Sequence, residues 1–201
     1  MKLTNVVANA MILFIIGVFT YILVYFAMFQ FDKAYPLNES GWLYISILFP
    51  ALSFGTVISV FMKSMLEVKI TRVVGLSFGL SIVASLFSVL IVYALYKGSL
   101  TWDGAYAAEP GIAMKAIIFG FAGLIGSAVL ALLPMVILKS QFSIKKIIVF
   151  AVVGFALGLM ATILSRSNEV LGLIISNGVW FASIGVMILK NVKHLKTKEQ
   201  S

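Results

Sequence analysis

Residues Val73 to Tyr96 read VVGLSFGLSIVASLFSVLIVYALY, 24 positions without a charged side chain, bounded by Arg72 and Lys97. Crossing a hydrocarbon core takes about 20 apolar residues at 1.5 Å rise per residue, and this stretch is long enough. Five others resemble it: Val6–Met28, Trp42–Met62, Ile112–Leu138, Ile147–Leu164 and Val170–Leu189. None has Asp, Glu or Arg in its interior. The sequence therefore predicts an all-α polytopic membrane protein with a six-transmembrane-helix bundle. A single integral membrane domain covers 1–201, and 190–201 forms a basic cytoplasmic tail.

Composition agrees. The 201 residues are 62% hydrophobic and 11% charged, whereas soluble domains average about 45–50% apolar and 25% charged. Pro36 and Pro110 fall in loops. Pro50 and Pro134 fall inside apolar stretches, where neighbouring helices can satisfy the carbonyls that proline leaves free. The first stretch is too long for a signal-peptide core of about 7–15 residues. The cleavage-like triplet Ala8-Asn9-Ala10 precedes the apolar core instead of following it, so the stretch reads as a retained helix.

Charge between the stretches sets an orientation. Lys2, the second and fourth connections and the tail gather eleven Lys/Arg against two Glu. The first, third and fifth connections gather four Lys/Arg against five Asp/Glu. Cytoplasmic loops carry the cationic excess, so both the N-terminus and the C-terminus are expected in the cytoplasm. Trp42 and Trp102, with Tyr35, Tyr44, Tyr93, Tyr96 and Tyr106, then fall near the outer interface as anchors or as the rim of an outward-facing ligand site. Trp180 lies deeper. The net charge of +8 is spread over short loops and leaves no basic face to follow phosphates, which excludes nucleic acid as a partner. The lipid bilayer is the expected partner. The tail from Lys190 to Lys198 reads as a stop-transfer anchor or as a contact for anionic lipid.

Small residues recur at spacing four, which places them on one helix face. Gly75 and Gly79 form one such stripe, and Ser77, Ser81 and Ser85 form an adjoining one. Gly123, Ser127 and Ala131 form a third, and Gly154 and Gly158 a fourth. Such grooves let backbones approach closely in lipid. Gly75, Gly79, Ser81, Gly123, Ser127, Gly154 and Gly158 are therefore the candidate helix-packing residues, within the bundle or against a membrane-protein partner or second copy.

Reactive chemistry is sparse. Cysteine is absent, and the single histidine, His194, lies among tail lysines. No His-x-x-x-His, Glu-x-x-His or paired carboxylate occurs on a helix, so no metal site or cofactor is expected. No serine has a credible base to activate it. The chain is therefore read as non-enzymatic. Asn38-Glu39-Ser40 matches a glycosylation acceptor pattern close to the membrane.

The candidate ligand residues come from polarity at depth and from the connection 97–111. Lys115 lies one turn into its helix, as an anchor or as a partner for Glu109 or Asp103. Asn177 sits mid-helix, and Asn5 and Asn9 lie one turn apart in the first helix. Buried amides need partners, so each marks an interhelical bond, with a ligand contact as the alternative at Asn177. Trp102, Asp103, Tyr106 and Glu109 give the longest connection the character of a lid on the outer surface or of an interfacial segment that dips into the membrane. In helix number and length the chain resembles the small substrate-binding subunits of bacterial vitamin transporters, a resemblance of size and topology that carries no residue. The expected function is a transport or solute-binding module for a neutral or apolar small molecule, in a bacterial inner membrane. The alternative is an accessory or scaffold subunit of a larger membrane complex.

Overall fold

The computed structural model describes residues 3–34, 39–66, 68–102, 111–140, 142–166 and 168–199. Its elements in chain order are α1 (Leu3–Ala34), α2 (Glu39–Met65), α3 (Ile70–Trp102), α4 (Ile112–Leu130), α5 (Leu132–Ile137), α6 (Ile144–Leu164) and α7 (Glu169–Glu199). No strand occurs among the described residues. Among the described residues, six segments are long and apolar enough to cross a membrane, and α4 with α5 supplies one of them.

Several helices outrun their apolar stretches. α7 continues to Glu199, so most of the segment expected as a tail is helical. Lysine, leucine and glutamate are good helix formers, and an existing helix extends by one bond per residue. α3 likewise extends through Lys97–Trp102, which the sequence placed in the connection, although Gly98, Ser99 and Thr101 are poor helix formers. The fourth stretch divides instead. Pro134 has no N–H to donate, and its ring crowds the carbonyl of Leu130. The helix breaks at Ala131 between α4 and α5.

Three local devices fix the ends. α5 closes in a Schellman turn, with Ser140 N–H donating to Met135 O (3.0 Å) and Lys139 N–H to Val136 O (3.4 Å). Lys139 takes the left-handed conformation there, φ 51°. Arg72, in the first turn of α3, donates from Nη2 to the carbonyl of Val136 at 2.8 Å, adding a cation where the helix dipole is negative. At the other end of the bundle, Asn168 Oδ1 accepts from Leu171 N–H at 3.0 Å and caps α7.

The most extensive pairs are α4 with α6, α1 with α7 and α2 with α3. α1 and α7 run antiparallel, with Gly17 against Gly178 and Leu13 against Gly185. α4 and α6 also run antiparallel, with Gly123 on Gly154 and Phe119 on Gly158. A methyl group at Gly123 would overlap the Gly154 carbonyl, and one at Gly158 would overlap the Phe119 carbonyl. These glycines allow the backbone approach that association in lipid requires. Ser127 Oγ lies against Gly154 in the same seam.

Gly75 and Gly79 were expected to seat a helix, either of the bundle or of a partner or second copy, and the first of these does not occur. No atom lies within 4 Å of a Cβ at either position, and both face outward. Positions two apart on a helix differ by about 200°. Ser77 and Ser81 point inward, which turns the glycine stripe away. Leu13, Phe54, Ile58, Met62, Phe150, Phe181 and Ile184 form the core. Val60 (65% exposed), Val152 (61%) and Ile163 (68%) face outward. An exterior as apolar as the interior suits hydrocarbon rather than water.

Candidate functional site, a central cavity

All six membrane-length segments contribute to one cavity of about 240 Å³. It extends from the middle of the bundle toward the end that holds the α6–α7 turn. α1 gives Tyr21, and α2 gives Pro50, Ala51 and Phe54. α3 gives Ser81, Ser85 and Ser88, α4 gives Phe119, Gly123 and Gly126, and α6 gives Leu157 and Gly158. α7 gives Leu173, Ser176, Asn177, Trp180 and Phe181. Among the described residues, the lining has no Asp, Glu, Lys, Arg or His.

Part of the wall is a rigid aromatic cluster. Phe54 packs edge-on against Phe181, ring centroids 5.0 Å apart, and lies 5.3 Å from Trp180. Trp180 and Phe181 are 5.9 Å apart. Each such contact is worth about 0.5–1.5 kcal/mol beyond the area buried. Trp180 is therefore a cavity residue, although the sequence suggested only that it sits below the interface.

The polar groups differ in how they are satisfied. Ser88 Oγ donates to Ala122 O at 2.9 Å and ties α3 to α4. Ser176 Oγ donates to Leu173 O at 3.1 Å. Asn177 Nδ2 donates to Gly17 O at 2.7 Å, joining α7 to α1 where Gly17 and Gly178 cross. Ser81 Oγ is 2% exposed as a residue, lines the cavity and has no partner.

Hydroxyls elsewhere in the bundle take the usual local route. Thr20, Thr56, Ser59 and Ser165 each donate to the carbonyl four residues back. Ser77, Ser127, Ser140 and Thr162 do not, and like that of Ser81 their hydroxyls are buried without a partner. An unmade bond of this kind costs about 1–3 kcal/mol. Of the five, Ser81 lies on the cavity wall.

The sequence candidates are thus divided. Ser81, Gly123, Gly158 and Asn177 meet at the cavity. Gly154 and Ser127 lie beside it in the α4–α6 seam. Lys115 is half-buried in the first turn of α4 and is not part of the lining. Trp102 is the last residue of α3. Asp103, Tyr106 and Glu109, the rest of the expected lid, lie outside the described residues, as does Asn38. Among the described residues, no group of three His, Asp or Glu could hold a metal ion. Comparison with family models, curated proteins and solved structures gives no match to this chain.

Proposed function

We propose that the chain is a non-enzymatic solute-binding or transport module, with the central cavity as its site. The observation that carries this reading is Ser81 Oγ, buried and without a partner on the wall of an aromatic-lined cavity whose described residues carry no charge. A small apolar molecule with one hydrogen-bonding group would fill the space and satisfy that hydroxyl. Among the described residues the wall has no ion to balance a charged solute, and a buried unpaired charge is strongly disfavoured, which favours a neutral solute. Pockets for drug-sized ligands measure about 300–1,000 Å³, so this solute is smaller. The distribution of lysine and arginine supports a bacterial inner membrane with both termini in the cytoplasm. The cavity then leans toward the outer face.

Two small aromatic probes test this reading, indole with an N–H donor and benzyl alcohol with a hydroxyl. Thermal unfolding of purified protein in mild detergent should shift upward with either, by about 2.7 kcal/mol when the probe stands at 100 times its Kd. Ser81→Leu, which fills the space, should abolish the shift. Equal shifts in both proteins would mean that the probes act on the micelle or the outer surface, and the reading would fail. Uptake of the same probes into proteoliposomes separates transport from binding alone.

A second reading, an accessory subunit of a larger complex, draws on the outward Gly75–Gly79 face of α3. Gly79→Leu should then release a co-purifying protein from native membrane without unfolding the bundle. Unchanged co-purification would leave that reading without support.

A further inference from the structure

Ser81 and Leu130 both line the central cavity. Pro134, four residues beyond Leu130, has no N–H, so the helix bond that the Leu130 carbonyl would ordinarily accept is missing. The chain breaks at this point, between α4 and α5. On the reading of the cavity as a solute site, we propose that the solute is an uncharged aromatic carboxamide. Its carbonyl accepts from Ser81 Oγ, and its N–H donates to Leu130 O.

Three observations carry the proposal. First, the two groups stand at one level of the bundle. Ser88 Oγ donates to Ala122 O, and a methyl group at Gly126 would meet Ser88 Oγ and the Ala84 carbonyl. α3 and α4 run antiparallel, so the pairing of Ala84 with Gly126 brings Ser81 beside Leu130 about one turn further along. Second, the bond that would satisfy both groups is not made. A carbonyl freed by proline in a membrane helix is ordinarily taken up by a neighbouring helix or by a serine or threonine. Ser81 is placed for that role, yet its hydroxyl is buried without a partner. A donor and an acceptor left side by side call for a guest that accepts from one and donates to the other. An amide does both from adjacent atoms, whereas a ketone only accepts.

Third, the body of the guest has a seat. Gly55 packs on Phe78, which puts Phe54 at the level of Ser81, with Trp180 and Phe181 against it. Edge-on or offset contact with such rings favours a flat aromatic body. An apolar cavity of about 150 Å³ accepts benzene, so about 240 Å³ holds a ring that carries a carboxamide.

The test compares benzamide with acetophenone, in which a methyl group replaces the amide nitrogen at nearly the same size. Isothermal titration calorimetry of the purified protein in neutral detergent reads each Kd. The wild type should hold benzamide about fivefold tighter, the worth of one net hydrogen bond. Ser81→Leu, which fills the space, should bind neither. Pro134→Ala supplies the missing N–H to Leu130 O. It should bring benzamide to the level of acetophenone and leave acetophenone unchanged. Equal affinities in the wild type would overturn the carboxamide while leaving the cavity a solute site, the result expected if a water already bridges Ser81 and Leu130. A benzamide preference that survives Pro134→Ala would overturn Leu130 O as its partner. Binding of neither compound to the wild type would overturn the cavity as a solute site, and this inference with it. The wild-type comparison decides the class even where Pro134→Ala disturbs the fold.

Discussion

Replacing Ser81 with alanine should stabilise the bundle and weaken its hold on a solute, two effects of opposite sign from one oxygen atom. Ser81 is buried and its hydroxyl has no partner. Removing an unsatisfied buried hydroxyl recovers about 1–3 kcal/mol. The void left by one oxygen, on the order of 15 Å³, takes back about 0.4 kcal/mol at ~24 cal/mol per Å³. The net gain is about 0.6–2.6 kcal/mol. A bound solute loses one net hydrogen bond of about 0.5–1.5 kcal/mol, which weakens it roughly 2- to 13-fold. Ser59→Ala is the matched control. Its hydroxyl is also buried but donates to Gly55 O at 2.5 Å, so the same change should destabilise by about 0.5–1.5 kcal/mol. Thermal unfolding in micelles, with and without indole, reads both signs. If Ser81→Ala destabilises as Ser59→Ala does, the Ser81 hydroxyl already bonds the Ser77 carbonyl in its own helix. The case for Ser81 as a solute contact would then collapse.

Gly123→Ala should cost about 1–3 kcal/mol, because its methyl meets the Gly154 carbonyl, while Gly75→Ala should change stability by less than ~0.5 kcal/mol; equal effects in denaturant titration would place the α4–α6 seam wrongly. Arg72→Gln should lower stability by about 1.5–3 kcal/mol through loss of a charge-assisted bond to Val136 O, and an unchanged unfolding midpoint would show that the contact carries no weight. Lys139→Gly should raise stability by about 1 kcal/mol by relieving the left-handed conformation, and a lowered melting temperature would contradict the turn geometry.

The helical class and the six membrane-length segments were legible because both depend on runs of apolar residues. The ends of those runs were not the ends of the helices. Lys190 through Glu199 remain helical because membrane depth limits apolarity and places no limit on hydrogen bonding. The break at Ala131 traces to Pro134, which a reading of hydropathy passes over. Glycine spacing identified Gly123, Gly154 and Gly158, but it could not distinguish the Gly75–Gly79 face from the Ser77–Ser81 face. Both stripes have the same period, and which one turns inward depends on the other helices. The cavity was invisible for the same reason. Phe54, Ser81 and Trp180 sit on three different helices, and no single stretch records the space between them. Asn177 was noticed as an amide at depth, but its partner, the Gly17 carbonyl, lies 160 residues away.

That separation has a consequence in time. A ribosome adds about 5–20 residues per second, so Gly17 emerges roughly 8–32 s before Asn177. Throughout that interval the glycine face of α1 has no α7 to receive it and can be covered only by lipid or a chaperone. α1 must wait for α7, and this bundle closes only once α7 has been made. A nascent chain halted after α6 would therefore hold an open trough where the finished protein has its cavity.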